Sequence, residues 1–143
     1  IRRQFWVKLL ETAKEKTKLH AHTLPSDSHS IGQDLIKPGF RYNYVAKEQQ
    51  SHVELVIDRG NGKEEESKQI FKTLHQYKEI IEKRFGGQLE WETADGQRGC
   101  RIKKTIDGGY SDEKKWPQIH ANLIDNMINL DKAIKVHITK LSI

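Results

Sequence analysis

The sequence predicts an α+β fold: a five-stranded antiparallel sheet with three helices packed mainly on one face, in the order α-β-β-β-α-β-β-α. Three observations carry this reading. Apolar residues recur at a spacing near 3.6 in a first, a middle and a last segment. Between those segments lie short runs in which apolar and polar residues alternate. Clusters of Gly, Pro, Asn, Asp and Ser punctuate the chain where one pattern gives way to the next. At 143 residues the chain suits one domain, spanning 1–143, that buries a real core.

The elements follow in order. Phe5, Trp6, Leu9, Leu10 and Ala13 share one face with charges opposite, which predicts an amphipathic helix ending near Thr17. Pro25 and its Ser/Asp neighbours make a loop. From His29 the period becomes two, through Ile31 and Leu35, until Lys37-Pro38-Gly39 turns the chain. In the next strand Phe40, Tyr42, Tyr44 and Ala46 face one way and Arg41, Asn43, Val45 and Lys47 the other. The polar tract at 48–51 closes a hairpin onto a third strand, with Val53, Leu55 and Ile57 inward.

A glycine-containing break at 59–63 precedes one long helix over 64–87. Its three leading glutamates suit the positive end of the helix dipole, and Lys83 and Arg84 suit the negative end. Ile70, Phe71, Leu74, Tyr77, Ile81 and Phe85 form its buried stripe, and Gly86 or Gly87 stops it. A second hairpin pairs 88–93 with 100–106, so that Glu90 and Glu92 can meet Arg101 and Lys103. The last helix opens at Trp116-Pro117, with proline suited to the first turn. Trp116, Ile119, Leu123, Met127, Leu130, Ile134 and Ile138 make its apolar face.

Composition narrows the function. No apolar run approaches the roughly 18 residues of a membrane span, so no membrane partner is expected. A single cysteine, Cys100, allows no internal disulfide and points to a reducing cytoplasm. The start without methionine, already in helical pattern, predicts the C-terminal part of a longer protein. Net charge is 25 − 20 = +5, with cations concentrated at 1–18 and 98–104. Such patches suit phosphate contacts but also occur on ordinary surfaces.

No catalytic centre is expected. Glu54, Val56 and Asp58 share the outward face of their strand. A metal-dependent nuclease needs an acid and an acid-x-lysine on adjacent strands to hold Mg²⁺ near the attacking water. Val56 and Gly60 stand where lysine would follow Glu54 and Asp58, and Glu90-x-Glu92 offers none. Glu54 is instead expected to pair with Arg41 or Lys47, with residues 58–60 as the strand exit. His20, His22, Asp27 and His29 lack the spacing of a zinc site, and a solvated loop is the simpler reading. His52, His75, His120 and His137 read as surface or boundary residues. Cys100 lies beside Arg98 and Arg101, which could lower its pKa, but a small buried side chain accounts for it. Gly60-x-Gly62 lacks a third glycine and runs into glutamates, so no dinucleotide is expected there. Neither metal nor cofactor is predicted.

The stronger candidate is a surface. Arg41, Asn43 and Lys47 on one strand, with Arg98, Arg101 and Lys103 on and beside another, would form a basic polar face that binds DNA or RNA or docks a protein.

Seven stretches occur in an order that resembles the bacterial and archaeal domain-of-unknown-function family 4268: RQFW at 3–6, VELVIDRG at 53–60, KQIFKTL at 68–74, IIEKRFG at 80–86, LEWE at 89–92, CRI at 100–102 and WP at 116–117. The resemblance implies a C-terminal module, often attached to nuclease-like or other defence-associated domains, with no established active site of its own. The expected function is therefore a non-catalytic accessory domain of a bacterial nuclease-like or defence-associated protein, binding nucleic acid through the basic sheet face or positioning a nuclease-like neighbour. The alternative is a protein–protein module, contacting its own N-terminal domain or forming a homodimer through the last helix.

Overall fold

The structure, a computed structural model, describes residues 1–96 and 98–143. Helix α1 (Arg2–Lys14) leads into strands β1 (Ser30–Asp34), β2 (Phe40–Ala46) and β3 (Gln50–Ile57). Helices α2 (Glu64–His75) and α3 (Lys78–Phe85) follow, then β4 (Glu90–Glu92), β5 (Cys100–Asp107), a 3-10 turn at Glu113–Lys115 and α4 (Trp116–Thr139). The strands form one sheet in the order β1-β2-β3-β5-β4, and every pair is antiparallel. The α+β architecture with helices on one face is as the sequence predicts.

Alternation along the strands builds the core. Phe40, Tyr42 and Tyr44 face the same side as Leu55, Ile57 and Ile102, and all are buried. On that side lie Phe5, Trp6 and Leu9 of α1 and Leu123, Met127, Leu130 and Ile134 of α4. Each such side chain contributes roughly 1.5–3 kcal/mol by leaving water. The Tyr42 hydroxyl crosses the layer to donate to Asp131 Oδ1 at 2.8 Å, so its burial leaves no orphan donor.

One helix becomes two. The chain turns at 76–77, where the Tyr77 amide bonds back three residues to the Leu74 carbonyl at 2.9 Å and α3 restarts on the Tyr77 carbonyl. The break lets the two rods take different partners: α2 packs on β3 and β5, while α3 packs on α4. Tyr77, expected in the buried stripe, is consequently 49% exposed. Gly86 ends α3 in the left-handed conformation at φ 98°, the role expected of it.

Two histidines also depart from expectation. His20, placed in a solvated loop by the sequence, is buried at a positive φ of 63°. Gln33 accepts from its amide, its Nε2 meets the Tyr42 carbonyl at 3.1 Å, and its ring packs on Tyr44. These contacts hold a backbone conformation that is costly for a residue other than glycine. His120 is buried among Phe5 and Trp116 rather than lying at the surface.

The loop after β5 is tied to the β2–β3 hairpin. Tyr110 and Ser111 donate their amides to the carbonyls of Lys47 and Glu48. A Cβ at Gly109 would collide with those carbonyls, so this close approach requires glycine. No helix among the described residues is long and apolar enough to cross a membrane.

Candidate functional site

The side of the sheet away from the helices carries Arg41, Asn43, Glu54, Arg101 and Lys103. Antiparallel partners project to one side, so the pairings Asp34↔Arg41, Asn43↔Glu54, Glu54↔Lys103 and Val56↔Arg101 bring them onto one surface. The short edge strand completes it, with Glu90 opposite Lys103 and Glu92 opposite Arg101.

A polar chain crosses this surface. Arg41 Nη1 meets Asp34 Oδ1 at 2.9 Å, and its Nε donates to Asn43 Oδ1 at 3.0 Å. Asn43 Nδ2 donates to Glu54 Oε2 at 2.9 Å. The other Glu54 oxygen receives His52 Nε2 at 2.8 Å and Arg101 Nε at 3.5 Å. Beyond it, Lys103 pairs with Glu92 at 3.0 Å, and Glu90 accepts from the amide and hydroxyl of Thr105. Gly32 makes the first link possible, because a Cβ there would run into the Asn43 and Arg41 side chains that lie across β1.

Glu54 is the hub. It is only 4% exposed although it points away from the helices, since the longer side chains around it close over it. Burial pushes its carboxyl up, but the hydrogen bonds from His52 and Asn43, with the nearby His52 and Arg101 charges, outweigh that and hold it below the ordinary glutamate value. A carboxylate so saturated stays ionised and is a poor proton acceptor at neutral pH. Its role here is to anchor three neighbours. Replacing Glu54 with alanine should therefore cost about 2 kcal/mol, the scale of losing hydrogen bonds to a charged group. Glu54→Gln, which keeps the shape and one acceptor oxygen, should cost less. Urea unfolding of both variants checks this, and an alanine variant within 0.5 kcal/mol of the parent, about the noise of a neutral surface change, rules it out.

The expected partner of Glu54 was Arg41 or Lys47, and the structure corrects this. Arg41 turns away to Asp34 through the space above Gly32, and Lys47 lies past the end of β2. Asp58 and Arg59 do form the strand exit: Asp58 pairs with Arg98 at 3.1 Å, and Arg59 reaches Glu66 and the Pro38 carbonyl. Sequence reasoning missed His52, although a histidine two residues from Glu54 on a strand shares its face. It also missed Asp34, whose pairing depends on the β1–β2 register.

The strand cations thus sit in a balanced mosaic. Arg41, Arg101 and Lys103 stand among Asp34, Glu54, Glu90 and Glu92, three cations against four carboxylates. Arg98 has Asp58, and Lys47 carries no ion pair among the described residues.

Elsewhere the chemistry is sparse. Among the described residues no three His, Cys, Asp or Glu side chains lie together as metal ligands would. Cys100 is buried on the helix side of the sheet, and burial raises its thiol above the ordinary value despite Arg101 nearby. No curated protein matches the chain. One family model covers residues 1–138, almost its whole length. The chain accordingly belongs to the family described as a domain of unknown function, DUF4268.

Proposed function

We propose that this domain is a non-catalytic accessory module that docks onto a protein partner through the open face of its sheet. Arg41, Asn43, Lys47, Arg98, Arg101 and Lys103 lie in or beside the contact. The observation that supports this reading is the charge-matched mosaic around buried Glu54. A phosphate backbone gains most where cations stand without carboxylates, since binding there releases counterions at little internal cost. A protein surface of alternating charge can complement the mosaic residue by residue, which fixes register and rejects wrong partners. The partner this reading favours is a nuclease-like or defence-associated domain of the same protein, in the cytoplasm.

Nucleic acid is the second reading, favoured by Lys47 and by the net charge of +5. One pair of measurements separates the two. In the full gene product, Arg41→Glu with Lys103→Glu should release the domain, seen as a larger radius of gyration in X-ray scattering and faster proteolysis between domains. Fluorescence anisotropy with labelled single- and double-stranded DNA at about 50 mM salt should show no steep, salt-dependent binding. Unchanged scattering together with tight DNA binding that the same substitutions abolish would replace protein docking with the nucleic-acid reading.

A further inference from the structure

The sheet face is not the only unpartnered surface. Among the described residues, Tyr77 and Ile80 beside α4 are 49% and 42% exposed, and Val136 on α4 is 37% exposed. The rings of Tyr77 and His137 meet at 5.0 Å, which joins α3 and α4 at this point. The same end of α4 is held to the β1–β2 turn, where Lys37 Nζ donates to the Leu141 carbonyl at 2.6 Å. That turn carries Ile36, whose side chain is fully exposed. Solvent-facing apolar side chains from three segments are thus tied to one end of the molecule. Scattered single residues need no explanation, but a group on joined elements does.

The charge around them is predominantly positive. Arg84 lies one helical turn past Ile80, and Lys132 and Lys140 lie one turn to either side of Val136. Burial lowers the His137 pKa, and Arg84 and Lys140 lower it further, which places both cations near the Tyr77–His137 contact. The acids on these segments are mostly engaged. Asp131 accepts from Tyr42, Asp125 pairs with Lys16, and Glu82 accepts from the Leu89 amide and Trp91, which leaves Glu79.

We propose that this end of α3 and α4 is a second docking site, and that its occupant is an acidic amphipathic protein helix. Its apolar stripe covers Tyr77, Ile80 and Val136, and its flanking carboxylates meet Arg84, Lys132 and Lys140. Charge complementarity selects this occupant. A second copy seated by a two-fold axis would set the same cations against one another, which opposes isologous pairing. A bilayer is a poor fit, because stable interfacial adsorption needs a broad apolar helix face, and these residues are few and come from packed helices. The site is independent of the sheet face.

Selection from a display library of randomised helical peptides on the immobilised domain tests the proposal. Enriched peptides should carry apolar residues at i, i+3 or i+4 and i+7, with Asp or Glu at their flanks. Arg84→Glu with Lys140→Glu should weaken a selected peptide about tenfold or more, and lysine in place of its acids should restore binding. Ile80→Ser should weaken it too while shifting the urea midpoint little, since that side chain is 42% exposed. The proposal fails if no acidic amphipathic consensus emerges, or if selected peptides bind all variants alike. It fails equally if the substitutions abolish self-association, or sedimentation with phosphatidylcholine–phosphatidylglycerol vesicles, in place of peptide binding.

Discussion

Replacing Trp6 with alanine should lower the unfolding free energy by about 3–5 kcal/mol, more than the loss of any single hydrogen bond or ion pair on the sheet face. Trp6 is wholly buried in α1, with its ring edge-on to Phe5 at 5.1 Å between centroids. Its Nε1 donates to the Ser28 carbonyl at 2.8 Å, fastening the long α1–β1 loop to the helix that precedes it. Alanine would leave a cavity that close-packed neighbours fill only in part, and would orphan the Ser28 acceptor. Phenylalanine keeps most of the volume and removes the hydrogen bond, so Trp6→Phe should cost only about 1–2 kcal/mol. Trp91 supplies the contrast. It is also aromatic, and its Nε1 donates to Glu82, but it is half-buried at the sheet edge against Phe71 and His75. Its truncation should cost clearly less than that of Trp6. Urea denaturation of the three variants measures the order, and Trp6→Ala losing no more than Trp91→Ala would refute the packing argument.

What the sequence revealed follows the periodicities. The seven-residue stripe of the last helix, from Trp116 to Ile138, is buried throughout because a 24-residue helix on a sheet leaves no choice of face. The second strand was equally plain, since Phe40, Tyr42 and Tyr44 alternate with Arg41 and Asn43. The break at 76–77 was hidden because Leu74 and Ile81 are seven residues apart, a spacing that one continuous helix also satisfies. Nothing local records that the two halves pack on different elements. Histidines were misplaced for a related reason: an imidazole is compatible with core or surface, and only the surrounding Phe5 and Trp116, far apart in sequence, decide for His120. On the sheet face, alternation told which residues share a side. It could not tell which cation meets which acid, because that depends on register and on the space left by Gly32.

Burial of His120 should make the domain lose stability between about pH 6.5 and pH 4, by about 3 kcal/mol at 1.36 kcal/mol per pKa unit. Removal from water is the main cause that lowers its pKa to about 4. A hydrogen bond to the Phe5 backbone works in the opposite sense, and the Lys8 charge adds to the lowering. Its Nε2 is buried without a partner among the described residues, so a second proton would find no acceptor among them. In the unfolded chain the same histidine takes up its proton near pH 6.5. Between the two values the unfolded state binds more protons, and stability falls as pH falls. His20 and His137 are lowered too, mainly by burial, and act in the same sense. Glu54 works in a lower window: with its pKa depressed, its stabilisation holds above the unfolded value near 4.5 and is lost below it. The variant His120→Gln isolates the effect, since glutamine can still donate to the Phe5 carbonyl but cannot titrate. Urea unfolding at pH 7.5, 6, 5 and 4, chosen to bracket the roughly 6.5 midpoint of free histidine, should give a steeper decline for the parent than for the variant. Parallel pH profiles would show that His120 takes up its proton without leaving the core, and the packing of α1 against α4 would then need an acceptor for that proton.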